Sequence, residues 1–185
     1  MGTRPDAIYD ELLVLRCQEG DPKALEELVE RWQSRLWRHA NHLTGRPEVA
    51  WDIVQEAWMA IVRGIRRLDD PARFRQWSYR IVSNKCTDWM RRQHRQRKLV
   101  EDVSHEVQEG ATDSADQASG DDDVDRLRQA LRRLPKDRQT ILAMLYLDGM
   151  SIAEIASVLA IPEGTVKSRL HQARNHLRTI LEGKS

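Results

Sequence analysis

SIAEIASVLAIPEGTVKSRLHQARNHLR, running from Ser151 to Arg178, decides how the rest of this chain is read. Ile152, Ile155, Ala156 and Leu159 recur at the helical period, Ile161 and Pro162 interrupt it, and Val166, Leu170, Ala173 and Leu177 resume it. The pattern predicts helix, tight turn, helix. A buried stripe at Val166, Leu170, Ala173 and Leu177 puts Lys167, His171, Arg174 and Arg178 on the outward side, flanked by Ser168 and Gln172. Cations and hydrogen-bond donors on one exposed helical face suit a DNA groove, although two helices joined this way also serve as plain core. Ala160 stands where such a turn favours glycine. If the backbone there is left-handed, its side chain costs on the order of 1 kcal/mol.

The 185 residues suffice for one ordinary domain or two small ones, and no apolar run approaches a membrane span or a secretory leader. Cys17 and Cys86 lie far apart in helical patterns, forming neither a CxxC pair nor a zinc quartet. They are expected to be buried free thiols of a cytoplasmic protein. The formal net charge of +1 conceals a segregation along the chain. Residues 1–100 carry 19 basic and 14 acidic side chains, residues 101–125 none and 10, and residues 126–185 carry 11 and 5. Two basic lobes flank an acidic connector, the layout of a nucleic-acid binder with two points of contact.

The predicted fold is all-α, with two small helical domains joined by a flexible acidic linker. Residues 1–99 form the first domain, 100–123 the linker and 124–185 the second, which holds the helix-turn-helix. A first helix from about Asp6 to Glu19 carries Ile8, Leu12, Leu13 and Leu15 and stops at Gly20. Asp21 caps a second, with Pro22 at its first position and an apolar stripe reaching Leu43; Gly45 ends it. Pro47 opens a third, which turns Asp52, Gln55 and Glu56 away from a core of Val49, Ile53, Val54, Ala57, Ile61 and Ile65. RLDDPAR, from Arg67, reads as a loop, and a fourth helix runs from about Phe74 to Lys98. The connector from Glu101 to Asp123 has no hydrophobic period and cannot bury enough surface to offset its ordering entropy.

GTVKSRLHQAR, from Gly164, closely resembles the recognition helix of region four in bacterial sigma factors of the extracytoplasmic-function group. Residues from about Leu12 to Lys98 resemble region two of the same family. VAWDIVQEAW, Val49 to Trp58, is similar to its acidic DAEDLVQE-type helix, with Val49 and Trp51 where acidic residues are usual. FRQWSYRIVSNKCTDWMRR, Phe74 to Arg92, matches the family at Phe74, Trp77, Ile81, Asn84, Asp88 and Arg91. The order of these segments, with no region three between them, points to the small extracytoplasmic-function group.

This resemblance implies a factor that docks on core RNA polymerase and recognises promoter DNA twice. Asp52, Gln55 and Glu56 would meet the clamp helices of the polymerase. Lys167, Ser168, His171 and Gln172 would lie nearest base edges of the −35 element, and Thr165, Arg169 and Arg174 nearer phosphates. At the −10 element, Asp70 and Arg73 belong to a loop that captures a base turned out of the non-template strand. Phe74, Trp77, Asn84, Asp88 and Arg91 would line the reading helix, and Arg92 and Arg95, in the basic run Arg91 to Lys98, would hold phosphates. The alternative is that Phe74, Trp77 and Trp89 are core aromatics, the preferred reading for Trp89. The resemblance further implies an anti-sigma partner.

Melting would follow from trapping unpaired bases, so no covalent chemistry, metal or cofactor is expected. The sequence offers no nucleophile–base constellation, metal spacing or phosphate loop. His39 and His42 share a helix face without a further ligand and read as surface or partly buried. Two other readings stay open at this point: a conventional DNA-binding regulator acting without polymerase, and a module that only binds a regulatory protein.

Overall fold

Asp21 shows how closely local chemistry sets the first unit. In the computed structural model, which describes residues 5–101, 127 and 129–181, its side chain accepts from the backbone N–H of Lys23 and Ala24 at 2.9 and 3.3 Å. That caps α2 (Pro22–Thr44), and Gly20, at φ +91°, makes the reversal from α1 (Pro5–Gln18). Arg16 closes on the same carboxylate at 2.6 Å and holds it below the usual range for aspartate. Gly45, left-handed at φ +68°, ends α2, and Pro47 opens α3 (Pro47–Gly64). Two short 3₁₀ turns, Ile65–Arg67 and Pro71–Arg73, lead into α4 (Phe74–Glu101). No strand occurs among the described residues.

The four helices bury Leu13, Leu28, Leu36, Ile61, Phe74 and Tyr79, each with 1% exposure or less. Trp32 stands edge-on to both Phe74 and Tyr79, with ring centroids 5.4 and 6.3 Å away. The first helix departs from expectation. Its inward face is Leu13, Val14 and Cys17, whereas Ile8, Leu12 and Leu15 are 57%, 48% and 46% exposed. An apolar run on both sides of a helix does not choose its own face. Asp10 lies on the inward side with Leu13 and Val14, where its carboxylate pairs with Arg31 of α2 at 2.8 Å.

His39 is likewise deeper than its spacing suggested, at 3% exposure, with its Nε2 2.8 Å from Ser83 Oγ and its ring 4.8 Å from that of Tyr79. Burial, and secondarily the nearby His42, push its pKa down to about 3. An unfolded chain takes up this proton near pH 6.5 and the folded one does not, so protonation favours unfolding throughout the interval between those values. Stability contributed by the neutral imidazole is therefore complete above pH 6.5 and declines on acidification. We expect urea midpoints to fall from pH 7.5 to pH 5 by the equivalent of about 2 kcal/mol, and a His39→Gln variant to lose much of that slope. An equally steep decline in the variant would assign the effect to other groups. The two cysteines are buried as expected, and burial pushes the Cys86 thiol up to about 12.

The chain divides into two compact units, Met1–Gln108 and Glu109–Ser185. The boundary lies outside the described residues, as does the expected linker apart from its first two positions, which continue α4. In the second unit, helical residues 129–132 precede α5 (Lys136–Leu142), a π-helical turn (Ala143–Leu147), α6 (Ile152–Leu159) and α7 (Glu163–Leu181). Ala130, Ile141, Met144, Ile155, Val166 and Ala173, all fully buried, form its core.

Candidate nucleic-acid interface

The turn between α6 and α7 is fixed at both ends. Ser151 Oγ accepts from Glu154 N–H at 3.2 Å while Glu154 Oε2 accepts from Ser151 N–H at 2.8 Å, so α6 begins with a reciprocal capping box. It ends at Ala160, whose φ of 52° and ψ of 42° are left-handed. The backbone thus adopts the conformation glycine would favour and carries a methyl group there regardless. An Ala160→Gly variant should be more stable by about 0.5–1 kcal/mol in urea titration, because relief of the side-chain clash exceeds the added freedom of the unfolded chain. A destabilised variant would show that the methyl packs favourably.

Pro162 O then accepts from Thr165 and Val166 N–H at 2.9 and 3.2 Å to start α7. Val166, Leu170 and Ala173 are buried at 3% exposure or less, with Leu177 half-buried behind them. Lys167, Ser168, His171, Gln172, Arg174 and Arg178 are all exposed, and Thr165 and Arg169 are half-buried at the margins. Two of the expected phosphate contacts already have protein partners. Arg169 Nε lies 3.4 Å from Asp137 of α5, and Arg174 donates from Nε and Nη2 to the Tyr146 hydroxyl at 3.2 and 2.8 Å. Asn175, which sequence reading passed over, is exposed one turn after His171, with its amide nitrogen 3.4 Å from that ring. Its signal was available, since position 175 follows 168, 171 and 172 around the outward face.

In the first unit, α3 turns Asp52, Gln55 and Glu56 outward as predicted from its period. Glu56 is not an idle carboxylate: Lys85 Nζ of α4 donates to its Oε2 at 2.9 Å, and this contact lowers its pKa. Trp51 is 41% exposed and stacks at 5.6 Å on Trp37, whose indole N–H reaches Pro47 O at 3.4 Å. Where an acidic residue was expected, α3 therefore presents an aromatic ring braced by a second.

Along α4, Trp77, Asn84, Asp88, Arg91 and Arg95 recur at helical spacing on one side, with Arg92 beside them. All but Trp77 are exposed. Trp77 is half-buried against Gly64, where a Cβ would lie 2.8 Å from its Cζ2 atom, so the missing side chain makes room for the indole. Phe74 requires correction. At 1% exposure and edge-on to Trp32, it belongs to the core and anchors the first turn of α4 without facing DNA. Asp70 and Arg73 are exposed and paired at 3.2 Å, and Asp70 Oδ1 also accepts from Ala72 N–H at 3.0 Å. Gln18 secures the preceding segment by donating to the carbonyls of Ile65 and Leu68 at 3.0 and 2.8 Å. The loop expected to capture a base is thus built on a rigid entry.

The described residues include no cluster of metal-ligating side chains and no helix long and apolar enough to cross a membrane. What the surface offers is graded for polyanions and proteins: two helical faces of cations and amides, and one face of carboxylate, amide and indole.

Known proteins are similar to this chain throughout. Residues 28–96 match the family described as Sigma-70 region 2, and residues 125–177 match Sigma-70, region 4. The ECF RNA polymerase sigma-E factor of Escherichia coli K12 is 30% identical over 177 residues, spanning 91% of this chain and 92% of its own. The ECF RNA polymerase sigma factor SigW of Bacillus subtilis is 29% identical over 178 residues, spanning 91% and 94%. Among solved structures, the sigma factor RpoE in complex with the anti-sigma factor NepR, from Bartonella quintana, has a TM-score of 0.67 and 23% identity over 88% of this chain and 99% of that one. CnrH in complex with the cytosolic domain of CnrY gives a TM-score of 0.62 and 24% identity, covering 96% and 99%. Those two structures share the fold; the sequence relatives and the paired regions carry the family. The chain belongs to the extracytoplasmic-function RNA polymerase sigma factors, which direct promoter-specific transcription initiation.

Proposed function

We propose that this sigma factor docks on the clamp helices of core RNA polymerase through Asp52, Gln55 and Glu56 of α3 and reads promoter DNA with two further surfaces. The observation that carries the reading is the outward face of α7, where Lys167, Ser168, His171 and Gln172 stand together in solvent on a helix whose opposite side is locked into a core. A helix held in this way enters the major groove of the −35 element with its side chains toward base edges. Lys167 is only loosely engaged, 3.8 Å from Glu163, and so is available to exchange that contact for a base or phosphate.

The stripe of Asn84, Asp88, Arg91 and Arg95 on α4, with Arg92 beside it, takes the −10 element. Trp77 forms the apolar edge, and the Asp70–Arg73 loop receives an extruded base. Phe74 supports this surface from below. Strand opening draws on binding free energy alone, because trapped single-stranded bases are stabilised by stacking and phosphate contacts. No cofactor or covalent step enters, and the protein works in the cytoplasm with its polymerase. An anti-sigma protein covering these faces would hold it inactive, a reading supported by the structural neighbour from Bartonella quintana, a sigma factor in complex with the anti-sigma factor NepR.

Run-off transcription from a randomised promoter library, with purified bacterial core polymerase with and without this chain, tests the proposal. Discrete start sites present only with the chain are expected and would give both promoter elements. Specific binding of duplex DNA by the chain alone, with no transcripts, would overturn it in favour of a polymerase-independent regulator.

A further inference from the structure

The π-helical turn before the helix-turn-helix is wider than an α-helical one and is closed by Asp148 N–H donating to Ala143 O at 3.1 Å and Met150 N–H to Met144 O at 2.9 Å. Met144 and Met150, at 0% and 2% exposure, pin it to the core. The widened turn consequently presents its next side chains to solvent, Tyr146 at 62% and Leu147 at 68% exposure. Tyr146 does not project idly. Its hydroxyl accepts from both Nε and Nη2 of Arg174, and the guanidinium carbon lies 5.8 Å from the centre of its ring.

We propose that Tyr146 is a positioning residue for Arg174, holding the guanidinium beside α7 so that its remaining edge, Nη1 and Nη2, meets a backbone phosphate of the duplex. This rests on the reading of α7 as the groove-entering helix. An exposed arginine samples many rotamers, and two hydrogen bonds to one oxygen restrict that sampling before DNA arrives. The guanidinium has five donors, of which the tyrosine takes two on one edge and leaves the other edge in the geometry a phosphate accepts.

The chemistry of the brace distinguishes the two flanking arginines of α7. Arg169 faces the carboxylate of Asp137, which compensates its charge, and its role is to tie α7 to α5. Arg174 faces a neutral phenol, which fixes orientation and leaves the full positive charge for a phosphate. Tyr146 thereby makes the turn that precedes the helix-turn-helix a support for its DNA-contacting surface.

The test uses the full chain assembled with bacterial core polymerase, and as probe a promoter recovered from the library selection, with binding measured across a range of salt concentrations. Arg174→Ala should lower the slope of log affinity against log salt by about 0.9, the loss of one phosphate contact. Tyr146→Phe, which keeps the ring and removes only the acceptor, should weaken binding about threefold to tenfold and move the slope toward the Arg174→Ala value. Combined with Arg174→Ala it should add nothing further. Unchanged binding by Tyr146→Phe, a loss with an unchanged salt slope, or a loss that adds to that of Arg174→Ala would overturn the inference. Lys167→Ala with His171→Ala serves as the reference: if that pair leaves promoter binding intact, the groove reading fails and takes this inference with it. If the pair weakens binding and Tyr146→Phe does not, the inference alone fails.

Discussion

A double variant, Lys167→Ala with His171→Ala, is expected to initiate about a hundredfold less at promoters that depend on the upstream element, while binding core polymerase as tightly as the parent. The size follows from two base-edge contacts, each worth roughly 1–3 kcal/mol of discrimination, lost from a surface with little redundancy. Both side chains are exposed and neither supports the core, which rests on Val166, Leu170 and Ala173 beneath them. Stability should therefore change by no more than about 0.5 kcal/mol. Run-off yield on a library-selected promoter, polymerase affinity by competition with labelled parent protein, and a thermal scan together check the prediction. A fall in polymerase affinity equal to the fall in initiation would sink it, as would a large drop in melting temperature. Asn175 supplies a finer check. Its amide nitrogen lies 3.4 Å from both ring nitrogens of His171 on the same exposed face, so Asn175→Ala should reproduce part of the loss without altering charge.

The contrast between α7 and α1 explains why one helix was legible in the sequence and the other was not. In α7 the apolar residues occupy a single stripe, so burying it determines every outward side chain, and Lys167, His171 and Gln172 stand where periodicity put them. In α1, Ile8, Leu12 and Leu15 form one stripe and Leu13, Val14 and Cys17 another; hydrophobicity alone cannot choose, and the buried side is the one whose Asp10 pairs with Arg31 from a different helix. Long-range partners decide the remaining departures too. Phe74 goes inward because Trp32, far away in sequence, meets its ring edge-on there, and His39 follows because Ser83 offers it a hydrogen bond in the interior. Caps and breaks, by contrast, are local: Asp21, Gly45 and Pro47 act within their own turns and were readable from spacing. The same division applies to the site. Which residues are exposed was mostly visible, whereas which of them are already engaged was not, since Tyr146 with Arg174 and Lys85 with Glu56 are each joined across tens of residues.

That last pair shapes the expected behaviour of the surface proposed to face the polymerase. Gln55→Ala with Glu56→Ala should weaken core polymerase binding by about ten- to a hundredfold, mainly through faster dissociation, and leave the pattern of start sites unchanged once polymerase is saturated. Glu56, however, also bridges to Lys85, with side chains 51% and 26% exposed, so a loss on its removal has two explanations. A bridge this exposed contributes at most about 1 kcal/mol to the fold, too little to unmake the surface. Lys85→Gln separates the explanations, because it removes the bridge and spares the carboxylate. If Glu56 meets the polymerase directly, Lys85→Gln keeps affinity within about threefold of the parent, since the freed carboxylate remains on the same helical face. If Glu56 matters only by joining α3 to α4, Lys85→Gln loses as much affinity as Glu56→Ala, and both lose it in proportion to the fall in melting temperature. The neighbouring Trp51, stacked on Trp37 and partly in solvent, favours the first outcome. A rigid ring beside an amide and a carboxylate gives the surface the apolar centre and charged margin of a protein-docking face, and a charge at that margin acts on its partner more than on its own fold.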